Sequence, residues 1–124
     1  MKRSDFIAKY KKELKDRNNE LMNYMENRGD LDLIMMYWYC LDPIQHALFK
    51  NKLIIMDFYL KFNEFVGKLK KKLSDDDIIL ILSDHGQEKG IHTAYGFYSC
   101  NKKLGLKNPK IIDFKRIIEK DLMK

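Results

Sequence analysis

Hydrophobic and polar residues follow two kinds of pattern along this 124-residue chain. In residues 4–27, apolar side chains recur every three or four positions among charged ones, which predicts an amphipathic helix. Residues 52–73 show the same spacing and predict a second helix. Residues 31–41 and 78–82 are almost unbroken apolar runs, which predict central strands that are buried on both faces. A strand, a helix and a strand in this order predict a right-handed βαβ unit.

The remaining segments complete an α/β prediction. Residues 93–100 alternate as in an edge strand, and residues 112–123 have the spacing of a closing amphipathic helix. We therefore expect one α/β domain over residues 1–124. It would be a three-layer partial domain with a mainly parallel sheet flanked by helices, with the N-terminal helix in residues 1–30 and the rest of the α/β portion in residues 31–124.

Composition and charge narrow the classes of function. The net charge is +6 and the basic residues are mostly lysines. No basic run is interleaved with exposed aromatics, which argues against nucleic-acid binding, although an anionic phosphate substrate would be attracted. The two cysteines, Cys40 and Cys100, are expected to be free thiols of a cytoplasmic protein. No stretch has the length and apolarity of a membrane span, so we expect no membrane partner.

Acidic and histidine side chains follow both predicted strands. Asp42 and Asp84 come directly after the apolar runs, with His46 and His85 close behind, and His92 lies after the Gly86–Gly90 loop. Pro43 favours a helical turn that would put Asp42 and His46 on one face. Because ligands of parallel sheets bind at the carboxyl edge, we expect these side chains to converge. Imidazole and carboxylate are ligands of zinc and manganese, and three of them leave tetrahedral zinc one open position.

The same residues resemble a known family. Asp42-x-x-x-His46, Ser83-Asp84-His85-Gly86 and Gly90-x-His92 resemble the C-terminal half of the alkaline phosphatase superfamily, especially its type I phosphodiesterase and nucleotide pyrophosphatase branch. The resemblance implies two divalent metals, commonly zinc, and a phosphoester or nucleotide-like substrate, and the ligand chemistry leaves manganese as the second choice. It implies that Asp42, His46 and His92 bind one metal and that Asp84 and His85 bind the other.

The resemblance also implies parts that this sequence does not offer. In the family, a metal-binding Asp and a Thr or Ser nucleophile precede the matching stretch, whereas residues 4–27 predict only a helix. Ser83 and Thr93 lie inside the motifs without the strand-to-helix elbow that a nucleophile needs, so the catalytic residues stay unknown. The missing N-terminal strands predict an open sheet edge, which a homodimer or a complementary N-terminal chain would cover.

Four interpretations follow. The chain is a C-terminal part of a longer or split phosphodiesterase whose partner supplies the missing residues, or a non-catalytic relative that keeps a metal site and binds phosphorylated ligands. It is alternatively an independent hydrolase in which metal-activated water attacks phosphorus. An interaction module without chemistry is the alternative from a different class, and it predicts that the Asp and His residues do not matter.

Overall fold

The computed structural model describes residues 1–27 and 29–122, with side chains described as far as residue 120. The chain forms two compact units, one of residues 1–72 with 87–91 and one of residues 73–86 with 92–124. In chain order the elements are α1 (Arg3–Glu26), α2 (Leu41–Leu48), α3 (Lys52–Lys70), β1 (Leu80–Ser83), β2 (Gly86–Glu88), β3 (Ile91–Thr93), β4 (Phe97–Cys100) and α4 (Asp113–Ile117), followed by a π-helical turn (Ile118–Leu122). The α/β class is confirmed.

Three helices build the first unit. The predicted helices over residues 4–27 and 52–73 are confirmed as α1 and α3, and the predicted turn after Asp42 is the longer helix α2. Apolar faces of all three helices, together with the residue before α2, form one buried cluster: Tyr10, Leu14, Cys40, Ile44, Leu48 and Phe58. Burial of this cluster is the main source of stability for the unit, because each large apolar side chain removed from water contributes about 1.5–3 kcal/mol.

The predicted strand at residues 31–41 is wrong. Residues 31–40, which we call the apolar segment, pair with no strand of the described chain, and α2 begins at Leu41. The ring of Trp38 lies edge-on to Phe62 at 5.3 Å, and its Nε1 donates a hydrogen bond to Asn18 Oδ1 at 3.0 Å. Every second side chain is instead exposed, namely Leu31, Leu33, Met35, Tyr37 and Tyr39. An apolar run indicates a strand only where a neighbouring strand accepts its hydrogen bonds, and the described residues supply none.

The second unit contains an antiparallel strand pair. β1 pairs with β4 from Leu80 opposite Cys100 to Ser83 opposite Phe97. The prediction that residues 78–82 form a buried parallel strand is therefore wrong in orientation, and none of its side chains is buried. Packing comes from Phe114 and Ile117 of α4, which are buried, with the Tyr98 ring 5.4 Å from that of Phe114.

The strand predicted over residues 93–100 is split into β3 and β4. The interruption contains Gly96, where a Cβ atom would collide with the main-chain oxygen of Ser83. The glycine is needed because the two backbones approach more closely than any side chain allows. Strands of the described residues thus form two two-stranded sheets, β1 with β4 and β2 with β3, and not the mainly parallel sheet that the sequence predicted.

Two further predictions, the loop between Gly86 and Gly90 and the C-terminal helix, are corrected by the structure. The loop expected between Gly86 and Gly90 is a hairpin, because β2 and β3 are joined by two residues, Lys89 and Gly90, that both have positive φ (52° and 80°) as in a type I′ turn. The helix predicted over residues 112–123 is α4 plus the π-helical turn, and Met123 lies outside the described residues. No helix among the described residues has the length and apolarity needed to cross a membrane.

Candidate metal centre

The first Asp and His pair is held by helix α2. Pro43 is compatible with the first turn of this helix, where a backbone N–H has no helical partner in any case. Ile44 and Leu48 are buried and fix the inward face of α2. Asp42 and His46, also four residues apart, share another face, with His46 Nε2 3.3 Å from Asp42 Oδ1. The structure therefore brings these two predicted residues together as their spacing required.

A hydrogen bond to the hairpin fixes the orientation of the His46 ring. His46 Nδ1 lies 2.7 Å from the main-chain oxygen of Gly90. A carbonyl oxygen can only accept, so the contact requires a proton on Nδ1. In the neutral ring, Nε2 then carries the lone pair and faces Asp42. Such a bond is the usual way in which a protein orients a histidine that binds a metal through its other nitrogen.

Gln87 is a site residue that sequence reasoning missed. Its Nε2 donates a hydrogen bond to Asp42 Oδ1 at 2.8 Å, although the two residues are 45 positions apart. The sequence interpretation placed Gln87 in a loop. Gly90, at the second position of a two-residue turn that requires positive φ, was the signal that could have put Gln87 on a strand.

The second pair lies just after β1 and is less enclosed. The Asp84 side chain is 79% exposed, and its Oδ1 lies 3.8 Å from His85 Nε2. The main chain after β1 is restrained by a hydrogen bond that Ser83 Oγ donates to the His85 carbonyl oxygen at 2.6 Å. His85 Nδ1 lies 3.1 Å from the Gly86 carbonyl oxygen, and the His85 ring stacks on that of His92 with centroids 3.6 Å apart. Asp84 and His85 lie together because they are adjacent in the sequence, whereas Asp42 and His46 are brought together by helical spacing.

The donor set fits a divalent cation. Two ligands of one tetrahedral zinc, each about 2.0–2.2 Å from the metal, lie about 3.4 Å apart, close to the distance between Asp42 and His46. Asp42 and His46 each offer one ligand atom on the same face of α2, so together they fit two positions of such a cation site. Metal binding by any of the five remains a prediction.

Other candidate groups have structural roles. Burial raises the pKa of the Cys40 thiol to about 11, with a smaller contribution from the charge of Glu13, so at neutral pH it is a protonated core residue. Thr93 Oγ1 contacts the Tyr95 carbonyl oxygen at 3.4 Å, and Glu88 is exposed at the end of β2. Neither Ser83 nor Thr93 lies at the start of a helix, so neither has the strand-to-helix elbow that a nucleophile needs.

Comparisons with known proteins complete the description. Searches of the curated proteins and of the solved structures found no match to this chain. A family model, type I phosphodiesterase / nucleotide pyrophosphatase, matches residues 2–108. The matched range contains all five predicted ligands and confirms the resemblance that their motifs indicated. The chain therefore belongs to the type I phosphodiesterase and nucleotide pyrophosphatase family, as a partial domain of the alkaline phosphatase superfamily.

Proposed function

We propose that this chain carries the metal centre of a metal-dependent phosphodiesterase or nucleotide pyrophosphatase-like hydrolase. Asp42, His46 and His92 would hold one divalent cation, and Asp84 with His85 would hold a second. The observation that carries the proposal is the pair on α2. Its carboxylate and imidazole nitrogen are 3.3 Å apart, and the other nitrogen of that imidazole is already engaged by Gly90.

The chemistry of the ligands favours zinc, with manganese as the alternative. Imidazole nitrogen suits zinc, whereas sites of manganese are richer in oxygen. When bound, divalent cations neutralise charge on the phosphoryl oxygens and orient the attacking and leaving groups. The residues of this chain would hold the cations and keep the imidazole rings in one orientation. The net charge of +6 would attract an anionic phosphoester or nucleotide-like substrate.

We propose that the nucleophile and the remaining metal-binding Asp come from polypeptide outside these residues, in a longer protein or in a complementary chain. The apolar segment supports this view, because its exposed side chains and unpaired backbone suit an added strand. A homodimer through the same segment is the second arrangement. A cytoplasmic location belongs to the same proposal and is supported by the two cysteines, both free thiols.

A second candidate function follows from the lack of a nucleophile at such an elbow among the described residues. A non-catalytic relative would bind a metal or a phosphorylated ligand at the centre and use the apolar segment for protein interaction. This candidate is favoured by the absence of a serine or threonine at a strand-to-helix elbow in the part of the chain that is described.

Metal content and hydrolysis of a chromogenic phosphodiester, measured on the same preparations, test the proposal. Wild type is compared with His46→Ala and His85→Ala. Asp16→Ala is the matched control, because this exposed acid of α1 is paired with Lys12. Bound metal with turnover that both histidine variants abolish indicates a self-sufficient hydrolase in which metal-activated water attacks directly. Metal without turnover indicates a split or non-catalytic protein, and no bound metal contradicts the proposal in favour of an interaction module.

A further inference from the structure

One hairpin provides hydrogen-bond partners for both metal-binding candidates of α2. Gln87 on β2 contacts the Asp42 carboxylate, and Gly90 in the turn contacts the His46 ring. The turn is packed so closely that a Cβ on Gly90 would lie 3.0 Å from the Phe49 ring and 3.3 Å from the His46 carbonyl oxygen. A side chain here would require its neighbours to shift, and the φ of 80° is one that residues other than glycine rarely adopt. The hairpin is thereby held against the end of α2 that carries His46.

We propose that Gln87 is a positioning residue of the metal centre, whose amide N–H holds the Asp42 carboxylate in the orientation that coordinates the cation. The inference rests on the proposed function, since it presupposes that Asp42 binds a metal. A carboxylate on a helix turns freely about its last torsion unless another group restrains it. Groups that hydrogen-bond to metal ligands supply this restraint and typically change metal affinity about 10- to 100-fold.

A purely structural role explains Gln87 less well. Its Oε1 is buried and has no hydrogen-bond partner among the described residues, which costs free energy relative to an apolar side chain of the same shape. The side chain also reaches the main-chain oxygen of Asp42 only at 3.5 Å, a weak contact. The 2.8 Å bond to the Asp42 carboxylate is therefore the principal interaction that an amide provides at this position.

The test measures zinc affinity by competition with a chromophoric chelator. Gln87→Met keeps the approximate shape of the side chain and removes the donor. The matched control is Gln45→Met, because Gln45 lies on α2 and donates an equally short bond, 2.8 Å, to Tyr59 Oη instead of to a metal-binding candidate. We expect zinc to bind Gln87→Met about 10- to 100-fold more weakly than wild type, and Gln45→Met to bind as wild type does.

A second readout separates positioning from folding. The visible spectrum of the Co²⁺-substituted protein reports coordination geometry, and we expect it to change in Gln87→Met while the melting temperature of the metal-free protein does not. If Gln87→Met fails to fold, Gln87→Leu carries the same test, because it also removes the donor and adds neither a charge nor a metal ligand beside Asp42.

The outcomes distinguish the inference from the function on which it rests. Equal zinc affinity and equal Co²⁺ spectra in wild type and in the Gln87 variant would overturn the positioning role and leave the metal centre intact. If wild type binds neither zinc nor cobalt, the proposed function itself fails. An equal loss in Gln45→Met would show that any lost side-chain bond near α2 weakens the site, which also overturns the specific role.

Discussion

The Asp42 and His46 pair and the Asp84 and His85 pair have the same composition but different support. On α2, Ile44 and Leu48 are buried on the inward face, so the helix fixes the positions from which Asp42 and His46 project. After β1, Asp84 projects into solvent, and its neighbour His85 contacts the carbonyl oxygen of Gly86 and stacks on the His92 ring. The comparison teaches that a helix with a buried face positions metal-binding side chains more rigidly than the end of a short strand does.

Burial differs in the same direction between the two units. Nine of the buried apolar side chains lie in the first unit: Tyr10, Leu14, Leu21, Cys40, Ile44, Leu48, Phe58, Phe65 and Leu69. The described side chains of the second unit, which end at residue 120, include two, Phe114 and Ile117. Local stability follows buried apolar contact, so amide hydrogens of α1 and α3 should exchange more slowly than those of β1 and β4.

The largest loss of stability is expected at the buried face of α2, the helix that carries Asp42 and His46. Ile44→Ala should lower the free energy of unfolding by about 2–5 kcal/mol, because Ile44 is 1% exposed and its removal leaves a cavity under α2. Denaturant unfolding measures the loss. Ile112→Ala is the control, since Ile112 is 75% exposed and should change stability by less than about 0.5 kcal/mol. Similar losses in both variants would contradict the assignment of the core to the face of α2.

A smaller effect is expected from Gly96→Ala in the second unit. The new Cβ would collide with the Ser83 main-chain oxygen, so β1 and β4 must separate or bend. We expect a loss of about 1–3 kcal/mol, as for other forced overpacking. Hydrogen exchange should accelerate in β1 and β4 while the amides of α3 keep their protection. Unchanged exchange in both strands would mean that the close approach at Gly96 does not hold the pair.

Sequence reasoning succeeded where the information is local. The helical spacing of residues 4–27 and 52–73 predicted α1 and α3, and the four-residue spacing predicted the contact of Asp42 with His46. It failed for residues 31–41 and 78–82, because whether a strand pairs, and in which direction, depends on distant residues. The Gln87 contact was missed for the same reason, since a hairpin brings it to a residue 45 positions away.

The two cysteines extend the comparison to pH. Cys40, buried before α2, has its pKa raised from 9.0 to about 11, whereas Cys100 at the end of β4 is only partly buried. The folded state keeps Cys40 neutral while the unfolded state ionises. Its stabilising contribution is therefore complete below pH 9 and is lost as the pH rises towards 11.

We expect this loss to amount to about 1–2 kcal/mol between these pH values, measured by denaturant unfolding. The Cys40→Ala variant should lack the Cys40 component of the pH dependence, because no thiol remains at that position to ionise. Cys100→Ala is the matched control and should keep it. Identical profiles for wild type and Cys40→Ala would contradict a buried, neutral thiol.

The smallest expected effect is a gain of stability in the first unit, from the substitution Gly67→Ala. Gly67 lies inside α3, and a Cβ there would have no atom within 4 Å, so Gly67→Ala meets no steric cost. Alanine restricts the unfolded chain and favours the helix, which should raise the free energy of unfolding by about 0.5–1 kcal/mol. Hydrogen exchange should slow in α3, in contrast to the acceleration that Gly96→Ala causes in β1 and β4. The same substitution would then stabilise one unit and destabilise the other, because only at Gly96 does another backbone occupy the place of the side chain. A loss of stability from Gly67→Ala would contradict the open surroundings of α3 at this residue.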